Sequence, residues 1–244
     1  MEPQIIVGGD VGFHNTHDQE ARKRLRAGKA YRDISTIIVV PTRGMIPARA
    51  VENWMGLMTP MNQKVIRLFI SGMEVGAAYT AAIETILAHP ELSKWKYVLT
   101  LEEDNLPPPD GLLKLYESID TYAAVGGLYW CKGEGGQPMI YGSKDGLLNF
   151  QPQVPRVDTI QECRGLGMGF TLFRLELFRD ERIPKPWFET VQTWSQEAGG
   201  KGYTQDLHFF EGVAKAGYKV ACDTRVKVGH LDAAGNFGPA GFVW

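Results

Sequence analysis

Between residues 35 and 130, short β-branched runs alternate with helix-like stretches, and this alternation limits the possible folds more than any other feature of the chain. STIIVVP (35–41), KVIRLFI (64–70), KYVLTL (96–101) and TYAAVGGLYW (121–130) have the length and composition of buried strands. PARAVENWMGLM (47–58), with Pro47 in its first turn, reads as a helix. EVGAAYTAAIETILAHP (74–90) is the clearest one. Val75, Ala78, Tyr79, Ala82, Ile83, Ile86 and Leu87 recur on one face at three-four spacing, and His89-Pro90 stops it. A further helix opens at Pro109-Asp110 and carries Leu112, Leu113 and Leu115. Strands alternating with helices across short loops imply βαβ units and a mainly parallel sheet.

The second half is less regular. CKGEGGQPMIYGSKDG (131–146) is loop-like, with room for a hairpin. GLGMGFTLFRLELF (165–178) is a glycine-rich approach to a strand and a short helix, and WFETVQTWSQEAGGKGY (187–203) reads as a mobile loop. TQDLHFFEGVAKAG (204–217) is a helix with Gly217 just past its end. YKVACD and RVKVGHL are expected as two closing strands, and GNFGPAGFVW as a flexible tail.

With 244 residues the chain can bury a sizeable core. A formal net charge of −2 argues against a generic nucleic-acid coat. Cys131, Cys163 and Cys222 form no CxxC pair and are odd in number. A cysteine-based zinc site and an oxidised framework are therefore not expected, and the composition reads as that of a cytoplasmic protein. No apolar run is long enough to span a membrane, and no signal peptide is visible. Residues 1–33 form a polar extension with a basic run from Arg22 to Arg32. Two readings are open for it: a solvated segment, or a patch for an anionic partner or a membrane surface.

The run YVLTL leads straight into Glu102, Glu103 and Asp104 and then into three prolines. Adjacent like charges repel, so three acids at the end of a buried strand ask for something positive. In an open parallel sheet, ligands gather at the carboxyl ends of the strands. Alternation puts Glu102 and Asp104 on the same side, where two carboxylates suit Mg²⁺ or Mn²⁺. The other reading is a solvated acidic loop with Asp110 capping the next helix. His230 ends an alternating strand and is either structural or a metal ligand. Asp206 follows Thr204 at a helix start. It serves either the helix terminus or a reaction as general base.

The order of features then resembles a known family. A strand ending PTRG (41–44) is followed by a Gly/Ala-rich helix, an acid cluster before PPPDGLLKL, the GLGMGF stretch, TQDLHFF, AGYKV and VGHL. This is similar to the GT-A-fold glycosyltransferases, nearest the family 2-like group, over residues 35–232. The resemblance implies an α/β, Rossmann-like sheet, mainly parallel, with helices on both faces. Residues 34–130 would bind nucleotide, residues 131–232 would hold acceptor and catalytic groups, and residues 233–244 would be a tail.

It also implies roles. Glu102 and Asp104 take the first and third places of the DxD motif. Asp104 would bind Mn²⁺ or Mg²⁺, and Glu102 the ribose or the metal. Asp206 would be the catalytic base, and His230 would help hold metal and diphosphate. Pro41, Thr42, Arg43, Ser71 and Glu103 would contact the nucleotide sugar, a UDP- or GDP-sugar. Gly167, Met168, Trp187 and Trp194 are assigned to the acceptor side or a lid, with Phe188 and Tyr203 beside them.

Three positions depart from the family pattern. Glu102 replaces the first Asp, Gln205 stands where Glu is usual, and Tyr79-Thr80 stands where an Arg-Asn pair is frequent. The expected activity is metal-dependent sugar transfer to a hydroxyl acceptor, with inversion. A nucleotidyltransferase on a related sheet and a catalytically silent nucleotide-binding module are the alternatives. The acceptor is open; a nucleic acid stays possible through the basic segment.

Overall fold

The computed structural model describes residues 32–131, 136–142, 150–195 and 199–231. The expected N-terminal extension and C-terminal tail lie almost wholly outside these residues.

A seven-stranded sheet forms the centre. Its strands are β1 (Thr36–Thr42), β2 (Val65–Ser71), β3 (Tyr97–Leu101), β5 (Ala124–Leu128), β7 (Ile160–Cys163), β9 (Phe170–Arg174) and β12 (Val220–Lys227), in the order β2-β1-β3-β9-β5-β12-β7. β4 (Asn105–Leu106), β6 (Ile140–Tyr141), β8 (Gly165–Leu166) and β13 (Gly229–His230) form short two-stranded ladders, β4 with β13 and β6 with β8. β1 pairs parallel with β2 and β3, and β5 with β12. β9 runs antiparallel between β3 and β5, and β7 antiparallel on the outside of β12. Five of the seven strands thus share one direction.

Helices α1 (Ala48–Met55), α2 (Val75–Ala88), α3 (Gly111–Ser118) and α4 (Gln205–Lys215) cover both faces. The alternation within β1 decides which residue meets which layer. Ile37 and Val39 join Tyr79, Ile83 and Ile86 of α2 and Phe209, Phe210 and Val213 of α4. Ile38 and Val40 join Ala50 and Trp54 of α1 and Leu112, Leu113 and Leu115 of α3. Period-two side chains on a strand buried on both sides give the unbroken apolar run read in STIIVVP.

The helix ends follow their sequence signals. The Glu74 carboxylate accepts from the Ala77 amide (3.1 Å) before α2. Gly217 takes φ +83° just after α4, a left-handed conformation that glycine adopts without strain.

Two expectations are corrected and one strand is added. Residues 191–195 and 199–203 are not loop: they form β10 (Val191–Ser195) and β11 (Gly199–Tyr203), paired antiparallel. The closing segment is one long strand, β12, followed by the two-residue β13, because the pairing with β5 continues past a register shift between Asp223 and Lys227. Strand β7 was not anticipated; IQEC is too short and too polar to stand out, and only the antiparallel partner β12 orders it. Among the described residues no helix is long and apolar enough to cross a membrane.

Candidate active site

β3 delivers the acid run to the carboxyl edge of the sheet. The chain turns at once, with the Asn105 amide donating to the Glu102 carbonyl (3.0 Å), and enters β4. Here β13 closes the site. His230 stands opposite Asn105 in the β4–β13 ladder, and the Leu231 amide donates to the Asp104 carbonyl (2.8 Å). Two segments more than a hundred residues apart are thus fixed by backbone hydrogen bonds. Trp54 of α1 holds the turn from below, its indole N–H donating to the Asn105 carbonyl (2.9 Å). Gly169 allows the tight packing: a Cβ there would lie 2.5 Å from the Asn105 amide oxygen.

His230 Nε2 is 3.6 Å from Asp104 Oδ1, with 13% and 15% of the two side chains exposed. His230 Nδ1 lies 2.7 Å from the Trp130 carbonyl, which can only accept, so Nδ1 carries the proton. In the neutral ring, Nε2 then presents a lone pair toward a carboxylate oxygen. An imidazole anchored through its other nitrogen to a carbonyl is the usual support of a histidine ligand. Two lone-pair donors at this separation fit a cation between or beside them, which is what the residue types imply. Among the described residues no three His, Cys, Asp or Glu side chains form a ready-made metal cage. The remaining positions would fall to water and to substrate oxygens, as is common for Mg²⁺.

Glu102 is partly buried and accepts a hydrogen bond from the Tyr79 hydroxyl (3.2 Å). Burial, followed by the nearby charges of Asp104 and Asp206, pushes its carboxyl up to about 7. Asp206, in the first turn of α4, is buried. Burial raises its carboxyl, while hydrogen bonds from the Thr204 hydroxyl and the Leu207 amide pull it back. Asp104, Asp206 and His230 each lie close enough to Glu102 to act on its charge.

Glu103 points the other way. Its carboxylate accepts from Thr42 Oγ1 (2.7 Å), the Arg43 amide (3.0 Å) and Arg43 Nε. Burial would raise its carboxyl, but these bonds outweigh it and hold the group below the usual range. Glu103 therefore clamps the loop after β1 to the acid run, and its carboxylate is committed to that clamp rather than to a ligand. Pro41, Thr42 and Ser71 end adjacent parallel strands in register, Thr42 opposite Ser71, so they share the site's edge of the sheet with the exposed Arg43.

The lid assignments fare differently. Trp187 is 1% exposed and packs edge-on to Phe178, and Phe188 packs on Tyr79 and Phe209. Met168 is also 1% exposed, and a Cβ on Gly167 would run into the Tyr129 hydroxyl. Trp187, Phe188 and Met168 belong to the hydrophobic core beside the sheet, and Gly167 is buried against Tyr129. Trp194 and Tyr203 lie on β10 and β11, whose side chains are outside the described residues. The sequence reading missed three tyrosines. Tyr79 touches Glu102; Tyr129 accepts from the Gly169 amide (2.8 Å) and meets the His230 ring edge-on (5.5 Å); and Tyr141 feels the charge of Asp206. Burial raises all three hydroxyls, so they remain neutral donors.

The chain matches no protein-family model and no curated protein by sequence. Its structure is similar to that of A197 from STIV, at 19% identity and a TM-score of 0.56, over 81% of this chain and 85% of that one. It is also similar to S. aureus TarS in complex with UDP-GlcNAc, at 13% identity and a TM-score of 0.42, over 77% of this chain and 55% of that one. TarS in complex with UDP gives 13% and 0.41. At these identities the likeness concerns the fold. That fold is the α/β, Rossmann-like, mainly parallel sheet with helices on both faces that was expected from the sequence.

Proposed function

We propose that the protein is a metal-dependent glycosyltransferase that moves a sugar from a nucleoside-diphosphate sugar to an acceptor hydroxyl with inversion. The observation that carries this reading is the meeting of Asp104 and His230 beside Glu102 and Asp206, at the carboxyl edge of the sheet where ligands of such folds bind.

Asp104 and His230 would hold Mn²⁺ or Mg²⁺, which when bound supplies positive charge against the leaving diphosphate. The loop of Pro41, Thr42 and Arg43, together with Ser71, would receive the nucleotide, and Glu102 would face its ribose or the cation. Arg43 adds a cation that Glu103 orients. In the transfer, the bond from the anomeric carbon to the diphosphate oxygen breaks and a bond to the acceptor oxygen forms. The acceptor's proton passes to Asp206, whose raised proton affinity suits a general base. Attack from the face opposite the leaving group inverts the centre. Tyr79 and Tyr129 exclude water and steady Glu102 and His230 from beneath.

Thermal unfolding with UDP, GDP and CDP, each with and without Mn²⁺, tests the reading. Metal-dependent stabilisation by one diphosphate is expected, lost in Asp104→Asn and kept in Asp206→Asn, which binds without turnover. Preference for triphosphates would favour nucleotidyl transfer instead. No response to any nucleotide would refute a nucleotide-sugar enzyme.

A further inference from the structure

β2 is an edge strand, and no strand among the described residues pairs with its outer side. The Thr36 amide donates to the Lys64 carbonyl (2.9 Å), and Thr36 stands opposite Val65 in the parallel β1–β2 register. Backbone groups alternate along a strand, so Lys64, Ile66, Leu68 and Ile70 turn their N–H and C=O groups toward β1. Val65, Arg67, Phe69 and Ser71 turn theirs outward. Edge strands are normally kept short, or interrupted by proline, bulges or charges, because a free ladder recruits another strand. β2 runs seven residues without proline and in unbroken register, and Arg67 is its one charged residue.

By register with β1, Arg67 and Phe69 lie on the α1 face of the sheet, and Ile66, Leu68 and Ile70 on the α2 face. Phe69 is 51% exposed and Ile66 37%. On the α1 face Val51 and Met55, one helical turn apart, are exposed as well. The opposite edge of the sheet is better protected: β7 has four residues and carries Gln161 and Glu162. The sequence of β2 is complementary to itself when an antiparallel copy is set against it with Leu68 on the two-fold axis. Arg67 then faces Phe69 and Val65 faces Ser71, so every outward N–H and C=O group meets an outward partner. On the α1 face a guanidinium meets an aromatic ring; on the α2 face Ile66 meets Ile70 and Leu68 meets Leu68. No like charges stand opposite each other. An axis through Arg67 would set Arg67 against Arg67, and one through Phe69 would leave Val65 without a strand partner.

We propose that two copies of this chain associate through β2, paired antiparallel with Leu68 on the two-fold axis, so that the two seven-stranded sheets join into one. The inference does not rest on the transferase reading. Of the residues proposed to receive the donor only Ser71 lies on this strand, and Arg67 and Phe69 have no part in the acid cluster.

The test is sedimentation velocity on the full chain from about 1 to 100 μM, a range that covers weak to moderate dissociation constants. The wild-type protein should sediment as two chains at the upper end. Phe69→Arg sets like charges opposite each other at two symmetric pairs and should raise the dissociation constant at least about tenfold. Residues 67 and 69 are exposed, so the melting temperature at the lowest concentration should stay unchanged. Arg67→Glu added to Phe69→Arg sets an acid against a base at the same two pairs and should restore association. One chain at every concentration overturns the proposal and leaves the edge to an occupant other than a second copy. So does a Phe69→Arg constant equal to that of the wild type, or a double variant that associates no better than Phe69→Arg alone.

Discussion

Glu102→Gln should stabilise the ligand-free protein at neutral and alkaline pH while leaving it unchanged in acid. Glu102 holds its proton up to about 7 in the folded protein, against an unperturbed 4.5, because burial and the neighbouring Asp104 and Asp206 charges oppose ionisation. The folded state therefore binds more protons than the unfolded state between these values, and this group's contribution falls as pH rises through that window. Each tenfold in proton affinity is worth about 1.4 kcal/mol, so the full penalty approaches about 3 kcal/mol above pH 7. That is an upper bound, since Glu102 keeps some contact with solvent. Glutamine is neutral at every pH and keeps the oxygen that accepts from Tyr79. Paired urea unfolding curves from pH 4 to pH 8 should coincide at the acid end and diverge steadily. In thermal unfolding at the alkaline end, at about 2–4 °C per kcal/mol for a chain of this size, the difference in Tm reaches about 6–12 °C at most. Parallel stability profiles for the two proteins across the whole range would refute the crowding of carboxylates at this strand end.

Other outcomes follow from the packing. Phe209→Ala should cost about 3–5 kcal/mol in urea unfolding, since Phe209 is 1% exposed amid Phe173, Phe178, Phe188 and Phe210; a loss below 1 kcal/mol would mean that cluster is loosely packed. Trp54→Phe should cost about 1–3 kcal/mol by leaving the buried Asn105 carbonyl unpaired, and an unchanged midpoint would contradict that tie. Gly169→Ala should destabilise by about 1–3 kcal/mol, because the new methyl overlaps the buried Asn105 side chain; a neutral result would show that the acid-run turn can relax freely.

Most strands and helices of the first half could be read directly because they bury an unbroken or helically spaced apolar face; the edge strand β2 is the exception and leaves Ile66 and Phe69 exposed. STIIVVP and EVGAAYTAAIETILAHP carry their periodicity within a few residues. The antiparallel insertions could not be read this way. β9 looks like any other apolar run, and its direction is set by partners β3 and β5, which local sequence does not encode. The meeting of Asp104 and His230 was expected only through family resemblance, and the β4–β13 ladder that achieves it involves two-residue strands with no propensity signal. Trp187 illustrates the reverse problem: an aromatic among glycines and polar residues looks like a lid, yet it is 1% exposed and packs on Phe178 of the 3₁₀ turn at Leu175–Arg179. Glu103 and Glu102 are neighbours of the same type, and the turn between β3 and β4 sends one to a structural clamp with Thr42 and Arg43 and the other to Tyr79 beside Asp104.

The central claim is that the His230 imidazole and the Asp104 carboxylate share one cation. Pulsed electron paramagnetic resonance of Mn²⁺ with a nucleoside diphosphate and the full chain addresses it directly. Nitrogen modulation from one imidazole is expected, absent in His230→Gln, with Mn²⁺ affinity falling in Asp104→Asn. A manganese signal without nitrogen coupling in the wild-type protein, or one unchanged in His230→Gln, would contradict the claim.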